Sequence, residues 1–563
     1  MAEDFMTAAV KRVEAQFEKS GVSENCAAFE RKENQIEMRD GVKLHTIYYF
    51  PKEDTAEEKT YPVILTRTCY PGNDRIHRAY GEGLARRGYV YVYQYCRGRE
   101  NSEGKWEPNI NERKDGIDTM NYLVEQPWCE ILGYWGHSYT SMTGWAFADA
   151  AEGKVAAMFL EDYGTDRFTS AYEKGCFRHD ILTAWSMENA EKPVNADYRE
   201  SCRYLPQIEV DEALWGQRVP SYREYITSPN PDAALWQTGW WKQLREIPSK
   251  TKVPIYLLSG WYDHHHGSSM KTWERLNEET KQHSWLEIGA WNHFFQICLE
   301  GKEVMHPQNE EIPKMLEWFE LTLKQKEIPT QRIRAYEIGA DRWMDTVSDG
   351  LGEKGTAGSM TLYLDEKTLR TDTPEQEKTR NYTFDPATPV ESIGGEALLH
   401  TMPQIGSHLQ PEPDYREDVL SFVSEPLEET FTLNGKASVR LFVESDCEDT
   451  AFTAKIMEVT PEGKAYNIRS SIATLKQGKT EAGAYEPGSV AEVQITMWNI
   501  VYTIPKGSRI RVDVSSSDFP QYHVHSNQKG LWSEKTENKI AHQTIYMGGE
   551  AASCVILPLM KKQ

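Results

Sequence analysis

The 563-residue sequence predicts a doubly wound α/β domain, interrupted by a helical insertion and followed by an all-β domain of jelly-roll type. Three observations carry that expectation. Short apolar runs alternate with helix-like segments early in the chain; a polar, tryptophan-dotted stretch breaks the alternation; and beyond residue 330 short β-rich runs follow one another between Gly, Pro and Asp. The expected boundaries are 1–164 and 251–330 for the α/β domain, 165–250 for the insertion and 331–563 for the β-sandwich.

Taken in order, Phe5, Ala9, Val13 and Phe17 recur every four residues and place an apolar stripe on an N-terminal helix that needs a docking surface. QIEMRDGVKLHTIYYFP then reads as strand, Asp-Gly turn and strand. YPVILTRTCY and YVYVYQYC, separated by the helical DRIHRAYGEGLARRG, have the composition of strands buried on both faces of a parallel sheet. The rhythm continues through the helix KDGIDTMNYLVEQ, the strand ILGYWG, a helix opening at Ser138 and the strand KVAAMFLED. It stops in the segment holding Trp185, Trp215, Trp236, Trp240 and Trp241, and resumes with VPIYLLSGWYD, MKTWERLNEE, SWLEIGAWNH and IPKMLEWFELTLKQ. The later runs VRLFVES, AFTAKIMEV, EVQITMWNIVYTI and RIRVDVSSS are the short, closely spaced strands of a sandwich.

Composition narrows the function. A formal charge of −23 without a long basic block argues against nucleic acid as a partner. Nine cysteines lie far apart with no CxxC pair, so they are expected to be reduced and not to bind metal. The N-terminal segment lacks an apolar core and no apolar run is long enough to span a bilayer, so the expected location is the cytoplasm, with no membrane partner. CRGRENSEGKW lacks the spacing of a phosphate loop, and Arg97 within it is read as structural. His264, His265 and His266 are adjacent, and adjacent histidines seldom converge on one ion; they are expected at a pocket rim. No cofactor is implied.

The chemistry centres on GHSYT, Gly136 to Thr140. Ser138 lies between a strand-like and a helix-like run, the context of a nucleophile elbow, although Thr140 stands where such a motif has its last glycine. A serine there could also be an ordinary helix cap. Order favours the elbow: Asp263 ends VPIYLLSGWYD and His293 ends SWLEIGAWNH, so the chain supplies Ser, Asp and His in the order of an α/β-hydrolase, each after a predicted strand. Glu161 and Asp162, at another strand end, are candidates to hold a substrate ammonium, or else solvated turn carboxylates or salt-bridge partners within the insertion. His265 and Trp291 count as further candidate substrate contacts.

RTCYPG, CRGRENSEGKW, EQPWCE, SGWYD, GAWNH, YEIGADRW, FDPATPVESIGG, LSFVSEPLEE and VSSSDFP together carry a resemblance over nearly the whole length. The chain resembles the cocaine-esterase-like and Xaa-Pro dipeptidyl-peptidase-like serine hydrolases, which include α-amino-acid ester hydrolases and cephalosporin acylases. The resemblance implies an α/β-hydrolase with a helical cap and a C-terminal jelly roll. It also implies that the Tyr70 hydroxyl and the Tyr139 main-chain N–H form the oxyanion hole. Two positions depart from the family pattern: Thr140 replaces a glycine, and Cys69 stands where proline commonly precedes the oxyanion tyrosine.

The expected function is a cofactor-independent serine hydrolase acting on a small ester, amide or short peptide through an acyl-enzyme. Release of Xaa-Pro dipeptides is the second reading. A binding protein whose hydrolase domain is inactivated by Thr140 is the third. A homo-oligomer is compatible with the sequence.

Overall fold

The structure, a computed structural model, describes residues 2–52, 59–346, 351, 356–398, 401–481 and 483–560, and the side chains of all of these except 2–5 and 346. The chain opens with helix α1 (Ala2–Lys19), followed by β1 (Ala28–Glu37), β2 (Lys43–Lys52), β3 (Tyr61–Thr68), α2 (Asp74–Arg86), β4 (Val90–Tyr95), α3 (Glu112–Val124), β5 (Cys129–His137), α4 (Tyr139–Trp145) and β6 (Val155–Glu161). The cap contributes α5 (Arg167–Ala171), the short hairpin β7 (Tyr172–Glu173) and β8 (Cys176–Phe177), α6 (His179–Glu188) and further helices to Lys250. Then come β9 (Ile255–Gly260), β10 (Trp285–Gly289), β11 (Arg332–Glu337) and β12 (Arg342–Thr346).

Ten of these strands form one sheet in the order β1-β2-β4-β3-β5-β6-β9-β10-β11-β12. All neighbours from β4 to β11 are parallel, and the hairpin partners at both ends are antiparallel. A parallel sheet must be covered on both faces, which is why β4 is buried along its whole length and Val63, Ile64 and Leu65 of β3 are fully buried. On one face α1 docks through Val13 and Phe17 against α2 and the helix Glu311–Phe319. Phe5, expected on the same stripe, lies outside the described side chains.

The first sheet runs past the expected boundary at residue 330, because β11 pairs in parallel with β10 and carries β12 as its antiparallel edge. Strand-like composition is the same for an edge strand of one sheet and a strand of the next domain, so residue types alone do not assign it. From Thr356 onward thirteen strands form a continuous antiparallel-rich network, the β-sandwich domain. Three of the five cap tryptophans, Trp215, Trp236 and Trp241, are buried in packing.

The cap is clamped between the other two parts. Arg178 is fully buried, pairs with Asp180 at 3.0 Å, places its guanidinium 4.8 Å over Trp498 and donates to the Glu396 carbonyl. The Trp498 indole N–H donates to Glu173 at 3.1 Å. All nine cysteines are free thiols, and among the described residues no helix is long and apolar enough to cross a membrane. Arg97 is held by Asp115 at 2.8 Å and Asp40 at 2.8 Å beside the loop that follows β4.

Candidate active site

Ser138 sits between β5 and α4 with φ 57° and ψ −125°, a conformation that non-glycine residues rarely adopt and that projects a side chain from a tight strand-to-helix turn. The turn is tight enough that a Cβ on Gly136 would lie 2.2 Å from the Thr140 carbonyl oxygen, and one on Gly144 would lie 2.4 Å from the Tyr134 ring. Thr140 fits without disturbing it. Its hydroxyl donates to the His137 carbonyl at 2.7 Å and accepts from the His137 N–H at 2.6 Å, so the side chain folds back onto the end of β5.

Asp263 and His293 follow β9 and β10, and the parallel sheet brings both strand ends beside the elbow. His293 Nε2 is 2.9 Å from Ser138 Oγ, and His293 Nδ1 is 2.5 Å from Asp263 Oδ2. The other carboxylate oxygen of Asp263 accepts the His265 N–H at 2.7 Å. Asp263 is fully buried and His293 nearly so, which keeps competing water from the carboxylate–imidazole bond. The His293 carbonyl in turn accepts from His137 Nε2 at 2.9 Å.

Tyr70 lines the cavity in front of Ser138, with its hydroxyl accepting from the Trp185 indole at 3.4 Å. Burial raises its phenolic pKa, opposed in part by hydrogen bonding to Trp185 and Ser138, so the hydroxyl stays protonated and able to donate. Tyr139 stands at the first position of α4, where main-chain N–H groups have no partner within the helix. Its phenol points into the scaffold, donating to Glu112 at 3.0 Å and accepting the Asn109 N–H at 2.8 Å. Cys69 is fully buried, and burial holds its thiol pKa well above the ordinary value, so it packs and does not react.

The cavity of about 340 Å3 draws its wall from all three parts of the chain: the elbow and neighbouring loops, cap residues including Arg167, Trp185 and Glu188, and Leu398 of the β-sandwich domain. His264 and His265 line it, whereas His266 turns away, its Nε2 3.1 Å from the Asn499 carbonyl. Among the described residues, two groupings of side chains have the proximity to hold an ion, His137 with Asp162 and His293, and Asp263 with His264 and His293. Both reuse His293, whose ring nitrogens already face Ser138 and Asp263, so an ion would have to displace that arrangement.

Three expected substrate contacts lie elsewhere. Trp291 is fully buried away from the cavity, packed 5.7 Å from Phe295 and 6.0 Å from Trp343, because the chain after β10 turns its side chain beneath the sheet. Glu161 and Asp162 are also buried, under His137 and not beside the cavity. Asp162 has a φ of 47° that turns the strand end, and its carboxylate lies 3.5 Å from His137 Nε2. Burial, with Glu311 and Asp162 as charged neighbours for Glu161 and Asp263 for Asp162, raises both pKa values well above the usual carboxylate range, so neither is a solvated turn carboxylate. Conversely, His137, Tyr163, Arg167 and Glu188 line the cavity without having been singled out in the sequence. The run EDYGTDR at the carboxyl end of β6, where parallel sheets bind ligands, is the signal that held two of them.

A strained serine at the carboxyl edge of a parallel sheet, with its histidine and acid on later strand ends, defines an α/β-hydrolase of the serine type. Two family models match consecutive parts of the chain, the X-Pro dipeptidyl-peptidase (S15 family) over residues 40–295 and the X-Pro dipeptidyl-peptidase C-terminal non-catalytic domain over residues 329–556. The chain belongs to this family of serine hydrolases, which takes in the CocE/NonD and cocaine-esterase-type enzymes, and it is a hydrolase. Among its relatives is the cocaine esterase of Rhodococcus sp. (strain MB1 Bresler), 27% identical over 94% of this chain and 98% of the relative. Solved structures with the same fold include an α-amino acid ester hydrolase, 21% identical with a TM-score of 0.81 over 95% of this chain and 97% of the other. An aminopeptidase from the marine sediment archaeon Thaumarchaeota archaeon is 20% identical, with a TM-score of 0.80 over 95% and 96% of the two chains.

Proposed function

We propose that the chain cleaves an ester or amide through an acyl-enzyme, with Ser138 as nucleophile, His293 as general base and then general acid, and Asp263 as the group that orients the imidazole. His293 Nε2 takes the Ser138 proton as Oγ attacks the substrate carbonyl, and returns it to the leaving group as the tetrahedral intermediate collapses; Asp263 holds the Nδ1–H tautomer and stabilises the imidazolium. Tyr70 and the Tyr139 N–H are the donors to the oxyanion, acting where charge develops. Water then repeats the attack on the acyl-enzyme.

The observation that carries this reading is the line from Ser138 Oγ through His293 to Asp263, with spacings of 2.9 and 2.5 Å, opening on a cavity. A fluorophosphonate probe tests it: the native chain becomes covalently labelled and Ser138→Ala does not. Absence of labelling on the native chain overturns it. The hydrogen bonds of Thr140 to His137 remove the reason for treating the elbow as inactivated.

Release of Xaa-Pro dipeptides is kept as a second reading, because the matching family models bear that name and Glu188 places a carboxylate in the cavity wall where a substrate ammonium could pair.

A further inference from the structure

The cavity wall contains a cation that the hydrolytic machinery does not use. Arg167, at the start of α5, is only 6% exposed and lines the cavity. Among the described residues no carboxylate comes within 4.0 Å of it, and its Nε is buried without a hydrogen-bond partner. The acid next to it in sequence is engaged elsewhere: Asp166 pairs with Arg275 at 2.9 Å and with Lys271 at 3.9 Å, and accepts the Thr169 N–H. The guanidinium is held instead by aromatic faces, 5.3 Å from the Tyr225 ring centre and 5.7 Å from that of Trp241.

Beside it Tyr163, 3% exposed and also in the cavity wall, has a buried hydroxyl that feels the Arg167 guanidinium and, among the described residues, has no acceptor within hydrogen-bond distance. A buried guanidinium facing a cavity without a counter-charge is costly unless an anion completes it, and its planar donors match a carboxylate. The same wall holds Glu188, which acts on Tyr70, whereas Arg167 acts on Tyr163 and His265.

From this we infer that the cavity takes substrates carrying a carboxylate a few bonds from the scissile carbonyl, with Arg167 as its ion-pairing partner and Tyr163 as a second donor. The inference rests on the hydrolase reading above and specifies its substrate class. It places the reaction among those that release a dicarboxylate, or a carboxylate-bearing alcohol or amine, from its ester or amide.

Two substrate pairs test it and locate the charge. For the acyl side, kcat/KM is compared between 4-nitrophenyl hydrogen adipate and 4-nitrophenyl hexanoate; for the leaving-group side, between 4-acetoxybenzoate and 4-acetoxybenzamide, with Ser138→Ala as the blank throughout. The expected result is an anionic-to-neutral ratio of about ten or more in one pair, falling at least tenfold in Arg167→Met and severalfold in Tyr163→Phe. A ratio near one in both pairs, or one that Arg167→Met leaves unchanged, overturns the inference. So does a preference for substrates bearing an amine over their neutral counterparts.

If Arg167→Met does not fold, as judged by its melting temperature, Arg167→Lys and Tyr163→Phe carry the same comparison. Calorimetric titration of Ser138→Ala with adipate and with adipamide reads the anion site without any turnover. Adipate binding that is lost in the double variant Ser138→Ala/Arg167→Lys supports the site even if every ester is refused, which would sink only the hydrolase reading; no preference for adipate over adipamide sinks the anion site even if the probe labels Ser138.

Discussion

His137 Nε2 donates to the main-chain carbonyl of His293 at 2.9 Å, so the residue just before Ser138 ties down the loop that carries His293. The two imidazole rings lie 4.7 Å apart, and burial lowers the pKa of His137, which favours the neutral ring with its proton on Nε2. We predict that His137→Ala lowers kcat by about ten- to a hundredfold with little change in KM, since small displacements of a reacting group are costly. Steady-state kinetics on an activated ester measure this; a change confined to KM would place His137 in substrate binding instead.

Ser138→Ala should remove turnover by a factor of about a million while leaving the melting temperature close to that of the parent chain. Asp263→Asn should cost about ten thousandfold through the wrong histidine tautomer. Near-normal activity in either variant excludes the assigned roles.

For Tyr70→Phe, loss of one oxyanion donor should reduce kcat by about a hundred- to a thousandfold with KM nearly constant. A structural tyrosine would behave differently, giving lower thermal stability with turnover preserved.

Thr140→Val keeps the shape of the side chain but removes both hydrogen bonds to His137, leaving a partly buried main-chain N–H without that partner. The expected loss is about 1–3 kcal/mol of stability, read from a denaturant titration. Thr140→Gly should cost less in strain at the elbow, because glycine is the residue the motif ordinarily has there. Equal stability of Thr140→Val and the parent would mean that the threonine hydroxyl is dispensable.

Ester and peptidase chemistry separate on one preparation. A neutral aryl or alkyl ester without an α-amino group should be hydrolysed with a higher kcat/KM than an Xaa-Pro anilide, because Glu161 and Asp162 are buried away from the cavity and Arg167 opposes a substrate ammonium. Should the anilide be preferred, with Glu188→Gln raising its KM selectively, the dipeptidyl-peptidase reading replaces the esterase one.

The sequence by itself determined the alternation of strands and helices, the serine elbow in GHSYT, and the placement of Asp263 and His293 after later strands. These are short-range features: apolar spacing sets each element, and a functional residue at a strand end is marked by the run before it. Only the tertiary structure decided where side chains at those ends point. Trp291 and His293 are two residues apart, yet one packs beneath the sheet and the other faces Ser138; Glu161 and Asp162 end a strand at the ligand-binding edge, yet lie under it. The same holds for Arg167, whose lack of a carboxylate partner among the described residues becomes visible only when Asp166 is seen to be taken by Arg275 and Lys271, about a hundred residues away in sequence. Partner choice and side-chain direction depend on burial against distant segments, which local spacing does not encode. For that reason the strand-end placement of Ser138, Asp263 and His293 was legible in the chain, whereas the side chains that line the cavity were not.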